Sequence, residues 1–138
     1  MVRNPYAVLE GILRRQSRNA SGLPRSRVVK TAATHLVQCL RFQVRNRSLL
    51  SGRCASFSYE EMCANPTDVA RQIESLVPEL DDLDLAQRLP VKGIYDEPLR
   101  NMNEDAFARL APETVRIANG IFAEHQPLLD EFGYALRD

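Results

Sequence analysis

Residues 1–11 read MVRNPYAVLEG, and they set an apolar residue, an arginine, an asparagine and a proline directly before a helical run. Asn4 is a good N-cap, and Pro5 suits the first helical position, where no backbone N–H is needed. Val8, Leu9, Ile12 and Leu13 then recur at helical spacing on one face. The spacing predicts a helix from about Pro5 to Gln16. Its N-terminus carries unpaired N–H groups and the positive end of the macrodipole, and Arg3 adds a charged fork to the same place. That combination suits an anion, with an ordinary surface arginine beside a capped helix as the plainer alternative.

Outward from this helix, SRNASGLP (17–24) is a loop. A second, longer helix is predicted over roughly Arg25 to Leu49, where Val28, Val29, Ala32, Ala33, Leu36, Val37, Leu40 and Val44 form a continuous apolar stripe. His35 lies beside that stripe and reads as packed or half-exposed rather than catalytic. Ser51-Gly52 ends the helix, and RCASFSY (53–59) reads as a strand buried on both faces, because it is small, aromatic and nearly uncharged. Met1-Val2 is a candidate neighbour for it, and the buried character calls for more strands on either side.

YEEMCANP (59–66) then turns into a short helical segment closed by Asn65-Pro66. Thr67 is expected to cap a further helix with Val69, Ile73, Leu76 and Val77 inward. An acidic linker, PELDDLD (78–84), follows. Pro90, Gly93 and Pro98 break the next stretch into a loop that suits a functional role. A last helix starts near Pro112 with Val115, Ala118, Ile121 and Phe122 on one face. Pro127 should kink or restart it, and Gly133 should stop it.

With 138 residues, 44% apolar and 26% charged, the chain is long and apolar enough for a single domain over 1–138 with its own core. No apolar run approaches a membrane span and no secretory leader is visible, so a cytoplasmic location without membrane contact is expected. Cys39, Cys54 and Cys63 share no metal-type spacing and read as reduced, buried thiols. The net charge of zero hides a split: residues 1–54 hold eleven Lys/Arg against one acid, and residues 55–138 hold seven against seventeen. Either the two halves complement each other, or the basic half faces an anion. Sixteen of the eighteen basic residues are arginine, whose planar fork suits phosphate.

Several of these stretches together resemble sulfotransferases that use 3′-phosphoadenosine 5′-phosphosulfate (PAPS). VRNPYAVLEGILRR resembles that family's 3′-phosphate-binding segment, in which a strand ends in an Arg-Asp/Asn-Pro triplet and enters a helix, with a serine eight residues after the arginine. FSYEEMCANPTDVARQIESLV resembles its Tyr-Glu-Asp/Glu segment, VKGIYDEPLRNMN its Lys-Gly loop over the 3′-phosphate, and LLDEFGY an ending common among bacterial members. The resemblance implies an α/β fold class, a partial P-loop-type sulfotransferase fold that is mostly helical here with one or two short parallel strands.

It also implies a PAPS/PAP site in part. Arg3, Lys92 and Gly93 match cofactor-binding positions, with Gly11 where a serine hydroxyl is expected. Losing one charged hydrogen bond of about 1.5–3 kcal/mol should weaken donor binding by roughly one to two powers of ten, less if a water takes the hydroxyl's place. Tyr59 and Glu60 match a strand-end pair that orients neighbouring loops. The family's 5′-phosphosulfate loop, bridging lysine and general base come before the arginine motif. The resemblance therefore implies a C-terminal portion of a sulfotransferase, inactive alone, with a homodimer or an N-terminal half as its partner. Two other readings stand beside it. One is a non-enzymatic basic module for nucleic acid or an acidic protein, although only Phe42 interleaves the arginines of the second helix and no familiar nucleic-acid motif occurs. The other is a non-functional remnant. The acceptor substrate is not legible.

Overall fold

The computed structural model describes residues 1–18, 22–86 and 98–138. Its elements are helices: α1 (Pro5–Arg18), α2 (Arg25–Leu49), α3 (Tyr59–Ala64), α4 (Pro66–Glu74), α5 (Asn103–Phe107), α6 (Pro112–Phe122), a 3₁₀ turn at Ala123–His125, and α7 (Gln126–Asp130). By contacts the chain forms two compact units. One comprises Met1–Val2 with Arg47–Asn101, and the other Arg3–Asn46 with Met102–Asp138.

In the second unit, the predicted N-cap is formed. The Tyr6 N–H donates to Asn4 Oδ1 at 3.0 Å, and the Val8 N–H closes the first helical bond on Asn4 O at 3.1 Å. The buried face of α1 is Tyr6, Leu9 and Leu13, with Val8 and Ile12 on its half-buried flank. α2 keeps its predicted bounds and buries Val29, Ala32, Ala33, Leu36, Val37 and Leu40, while Val28 and Val44 are only half-buried. In α6 the buried line is Thr114, Ala118 and Phe122. It runs at i, i+4, i+8, so Val115 and Ile121 fall on its flanks.

The Tyr6 ring meets the Phe122 ring edge-on, with centroids 5.0 Å apart and planes at 84°, a favourable quadrupole arrangement. Its hydroxyl donates to Asn119 Oδ1 and accepts the Arg137 N–H at 3.4 Å, while Asn119 Nδ2 donates to Arg137 O at 2.6 Å. The Arg137 guanidinium lies 3.8 Å from the centre of the Phe107 ring. The C-terminal tail is thus fastened to α1, α5 and α6. Pro127 restarts the last helix as α7. Gly133, at φ +69°, then ends it with the Tyr134 N–H reaching back to Leu129 O at 3.1 Å, the six-to-one bond of a Schellman stop.

In the first unit the predicted strand at 53–59 shrinks to one bridge. Val2 pairs in parallel with Ser58, through Val2 N–H to Phe57 O at 3.1 Å and Tyr59 N–H to Val2 O at 2.7 Å. Parallel pairing is as expected, but one bridge is no ladder, and Tyr59 already begins α3. Burial on both faces is also absent. Cys54 and Ser56 are exposed, because nothing described covers them. The cause is physical: a strand is held by its neighbours, and composition alone supplies none.

α3 has a complete capping box. Ser58 Oγ accepts the Glu61 N–H at 3.0 Å, and Glu61 Oε2 accepts the Ser58 N–H at 2.6 Å. α4 starts two residues earlier than the Thr67 cap implied, with Asn65 at the N-cap position and Pro66 inside the first turn. It buries Val69 and Ala70, whereas Leu76 and Val77 lie beyond its end and are exposed. An open groove of about 540 Å³ lies between Gly52–Ala55 and Ile73, Leu76 and Val77.

The expected buried thiols are not found: Cys39 and Cys54 are exposed and Cys63 is half-buried. Among the described residues no helix is long and apolar enough to cross a membrane.

Candidate functional site

The predicted anion site begins where α1 begins. Arg3 stands one residue before the Asn4 cap, is half-buried, and donates from Nε to Asn103 Oδ1 at 2.9 Å. Asn103 is 5% exposed and opens α5. α5 was not foreseen, since the stretch around it reads as loop. The signal that could have exposed it is AFARLAPE, where alanine and leucine sit at helical spacing after the acids Glu104 and Asp105.

An arginine held by its Nε is already oriented, so less side-chain freedom is lost when its fork meets an anion. The helix end is less open than the motif alone suggests, because Asn4 already takes the Tyr6 N–H.

Gly11 lies within α1 and is half-buried. A Cβ built there meets nothing within 4 Å, so glycine is not required by packing. Arg3 and Gly11 are eight residues apart, about 12 Å of axial rise. An anion touching both would lie along the flank of α1 rather than at its tip. Lys92 and Gly93 fall outside the described residues.

The Tyr59-Glu60 pair belongs to the other unit. Tyr59 donates its hydroxyl to Arg100 O at 2.6 Å, fastening the start of α3 to the segment that follows the predicted Lys-Gly loop. Glu60 is half-buried in the first turn of α3.

His35 is exposed rather than packed or half-exposed, and a cysteine does stand at helical spacing from it. Cys39 Sγ lies 3.5 Å from its Nε2, one helical turn on. His125 is half-buried at the N-cap position of α7, where its side chain makes no cap bond, and Arg41 Nη2 lies 3.4 Å from its Nδ1. Among the described residues no group of three or more His, Cys, Asp or Glu is placed to hold a metal ion.

On α1, the strongest electrostatic feature surrounds Glu10, the only acid of the first 54 residues. Glu10 is buried; its Oε1 accepts from Arg109 Nε at 3.1 Å and forms an ion pair with Arg14 Nε at 3.2 Å. Charge complementation between the two sequence halves therefore occurs in reverse here, an acid of the basic half holding an arginine of the acidic half.

No protein-family model matches the chain, and neither a curated protein nor a solved structure matches it.

Proposed function

We propose that this chain is a sulfotransferase-like protein that keeps the 3′-phosphate part of a PAPS/PAP site. Arg3 and the flank of α1 form the anion-binding face in this reading; Lys92 and Gly93, which the resemblance assigns to the same site, lie outside the described residues. The observation that supports this best is the Arg3–Asn103 bond, which holds a guanidinium in place at a helix start. These 138 residues carry no glycine-rich phosphate loop to grip a 5′-phosphosulfate, and sulfuryl transfer depends on charge stabilisation at that group. The chain alone is therefore proposed to bind the nucleotide weakly and not to transfer sulfate.

Calorimetric titration with 3′,5′-adenosine bisphosphate tests this reading. Binding should be measurable, and Arg3→Ala should weaken it by roughly 10- to 100-fold, the range of a charged hydrogen bond. Equal affinity in Arg3→Ala would remove the site.

A partner belongs to the same proposal. Among the described residues the 54–57 segment has no ladder partner beyond Val2, and the groove beside it is lined by Ile73, Leu76 and Val77. Unpaired backbone beside apolar side chains invites another chain, either a second copy or a polypeptide carrying the phosphosulfate loop. Light scattering across a concentration series would show the second copy.

The alternative of a basic interaction module draws on α2. That helix holds no acid over its 25 residues, and Arg27, Lys30, Arg41 and Arg45 on it are exposed. It requires nucleic-acid or acidic-protein binding that falls steeply with salt and is indifferent to Arg3.

A further inference from the structure

Away from Arg3, three arginines gather around one buried carboxylate. Glu10, 6% exposed, accepts the Nε–H of Arg109 on Oε1 at 3.1 Å, and the same oxygen forms an ion pair with Arg14 Nε at 3.2 Å. Arg25, the first residue of α2, lines the same cleft, with Leu13 and Leu110 as its apolar walls. The cleft measures about 230 Å³, room for one small ionic group and its water. Among the described residues its lining holds three positive charges against one negative, a surplus of two. Among the described residues Arg25 has no ion-pair partner.

Each part of this arrangement favours an anion. The Glu10 carboxylate fixes Arg14 and Arg109 through Nε, so their orientation is set before any ligand arrives. The two side chains are nevertheless about half exposed, 52% and 49%, so a solute can reach them. The first turn of α2 adds the positive end of a long helix dipole beside Arg25. The leucine walls reduce the screening water on either side, which strengthens the field inside the cleft.

A surplus of two charges matches a dianion better than a single carboxylate, and guanidinium forks fit tetrahedral oxygens. From Arg3 to Arg14 is eleven residues, about 16 Å of helical rise, so this is a different site from the one proposed above.

We propose that the cleft of Arg14, Arg25 and Arg109 binds a doubly charged tetrahedral oxyanion, a phosphate or sulfate group, free or as the end of a small monoester. The test titrates the full chain with inorganic phosphate, following backbone amide shifts and the thermal midpoint, against sodium chloride of matched ionic strength. Phosphate should bind saturably, shift amides at the start of α2 and near Arg109, and raise the midpoint where chloride does not. Arg25→Ala should weaken binding at least tenfold without lowering the midpoint measured in the absence of phosphate, since Arg25 is exposed. Arg109→Ala should weaken it comparably. Arg116→Ala, at the separate surface pair with Glu113, should stay within twofold of the parent.

Phenyl phosphate in competition with phosphate distinguishes an ester end from the free ion. If Arg25→Ala binds phosphate as the parent does, or if matched chloride raises the midpoint equally, the proposed site does not exist.

Discussion

Arg3 and Asn103 are joined side chain to side chain at 2.9 Å, across one hundred residues of sequence. The arginine that the N-terminal motif singles out is thus positioned by a residue in a helix that the motif does not contain. Asn103→Ala removes the acceptor but keeps the charge of Arg3. Denaturant unfolding should show a loss of about 1–3 kcal/mol, the range for a bond to a charged group. Bisphosphate affinity should fall less than in Arg3→Ala. An unchanged midpoint together with unchanged affinity would mean that Asn103 does not position Arg3.

Gly11→Ser restores the hydroxyl that the resembling family carries. There is open space for a Cβ at this position, and serine is a better helix residue than glycine by a few tenths of a kcal/mol. The variant should melt slightly higher than the parent and bind 3′,5′-adenosine bisphosphate about tenfold more tightly. A gain in stability with no gain in affinity would place the phosphate away from the flank of α1.

Tyr6→Phe leaves Asn119 Oδ1 and the Arg137 N–H without the shared hydroxyl. The expected loss is about 1–3 kcal/mol near neutral pH, as for other buried polar groups deprived of a partner. Burial holds the Tyr6 phenol above its ordinary value, against the opposing pull of the Arg137 backbone bond and charge. The folded state therefore favours the neutral form. Stability from this group is intact below about pH 10, the value of a free phenol. It declines above that, as the unfolded chain loses its proton first. Stability measured from pH 8 to 11 should fall more steeply for the parent than for Tyr6→Phe. Parallel slopes would contradict this account.

Ser58→Ala opens the capping box of α3. Ser58 is buried and also carries the bridge to Val2, but that bridge uses backbone atoms and should survive. A loss of about 1 kcal/mol is expected, with local hydrogen exchange faster at Glu61. Glu61→Gln keeps an acceptor for the Ser58 N–H and should cost less. If the two variants were equally destabilised, the charge of Glu61 at the helix start would matter more than the hydrogen bond.

The helices were legible because their signals are local. Asn4-Pro5, Gly133 and Pro127 each act within a turn of where they stand, and the apolar period of α2 places its ends at Arg25 and Leu49 without outside help. The short α5 was hidden because five residues give too little periodicity to detect. For the candidate site, the sequence singled out Arg3 and Gly11 but not Asn103, and it assigned no role to Glu10 or Arg109. Their pairing joins positions ninety-nine residues apart, which no spacing rule reaches. His35 and Cys39 are the opposite case, since their one-turn separation is plain in the sequence and was passed over.

RCASFSY shows most clearly where local reading stops. By itself the sequence determined that residues 53–59 have the composition of a strand, that α1 begins at Asn4-Pro5 with an arginine before it, and that positive charge is concentrated in the first 54 residues. Only tertiary structure decided that the strand is a single bridge to Val2 with exposed neighbours. Tertiary structure also decided that Arg3 rests on Asn103, and that Glu10 is buried between two arginines. The physical reason is the same throughout. Caps and helical periods are satisfied within a few residues of chain, whereas a sheet ladder, a buried carboxylate and an oriented guanidinium exist only when distant residues complete them.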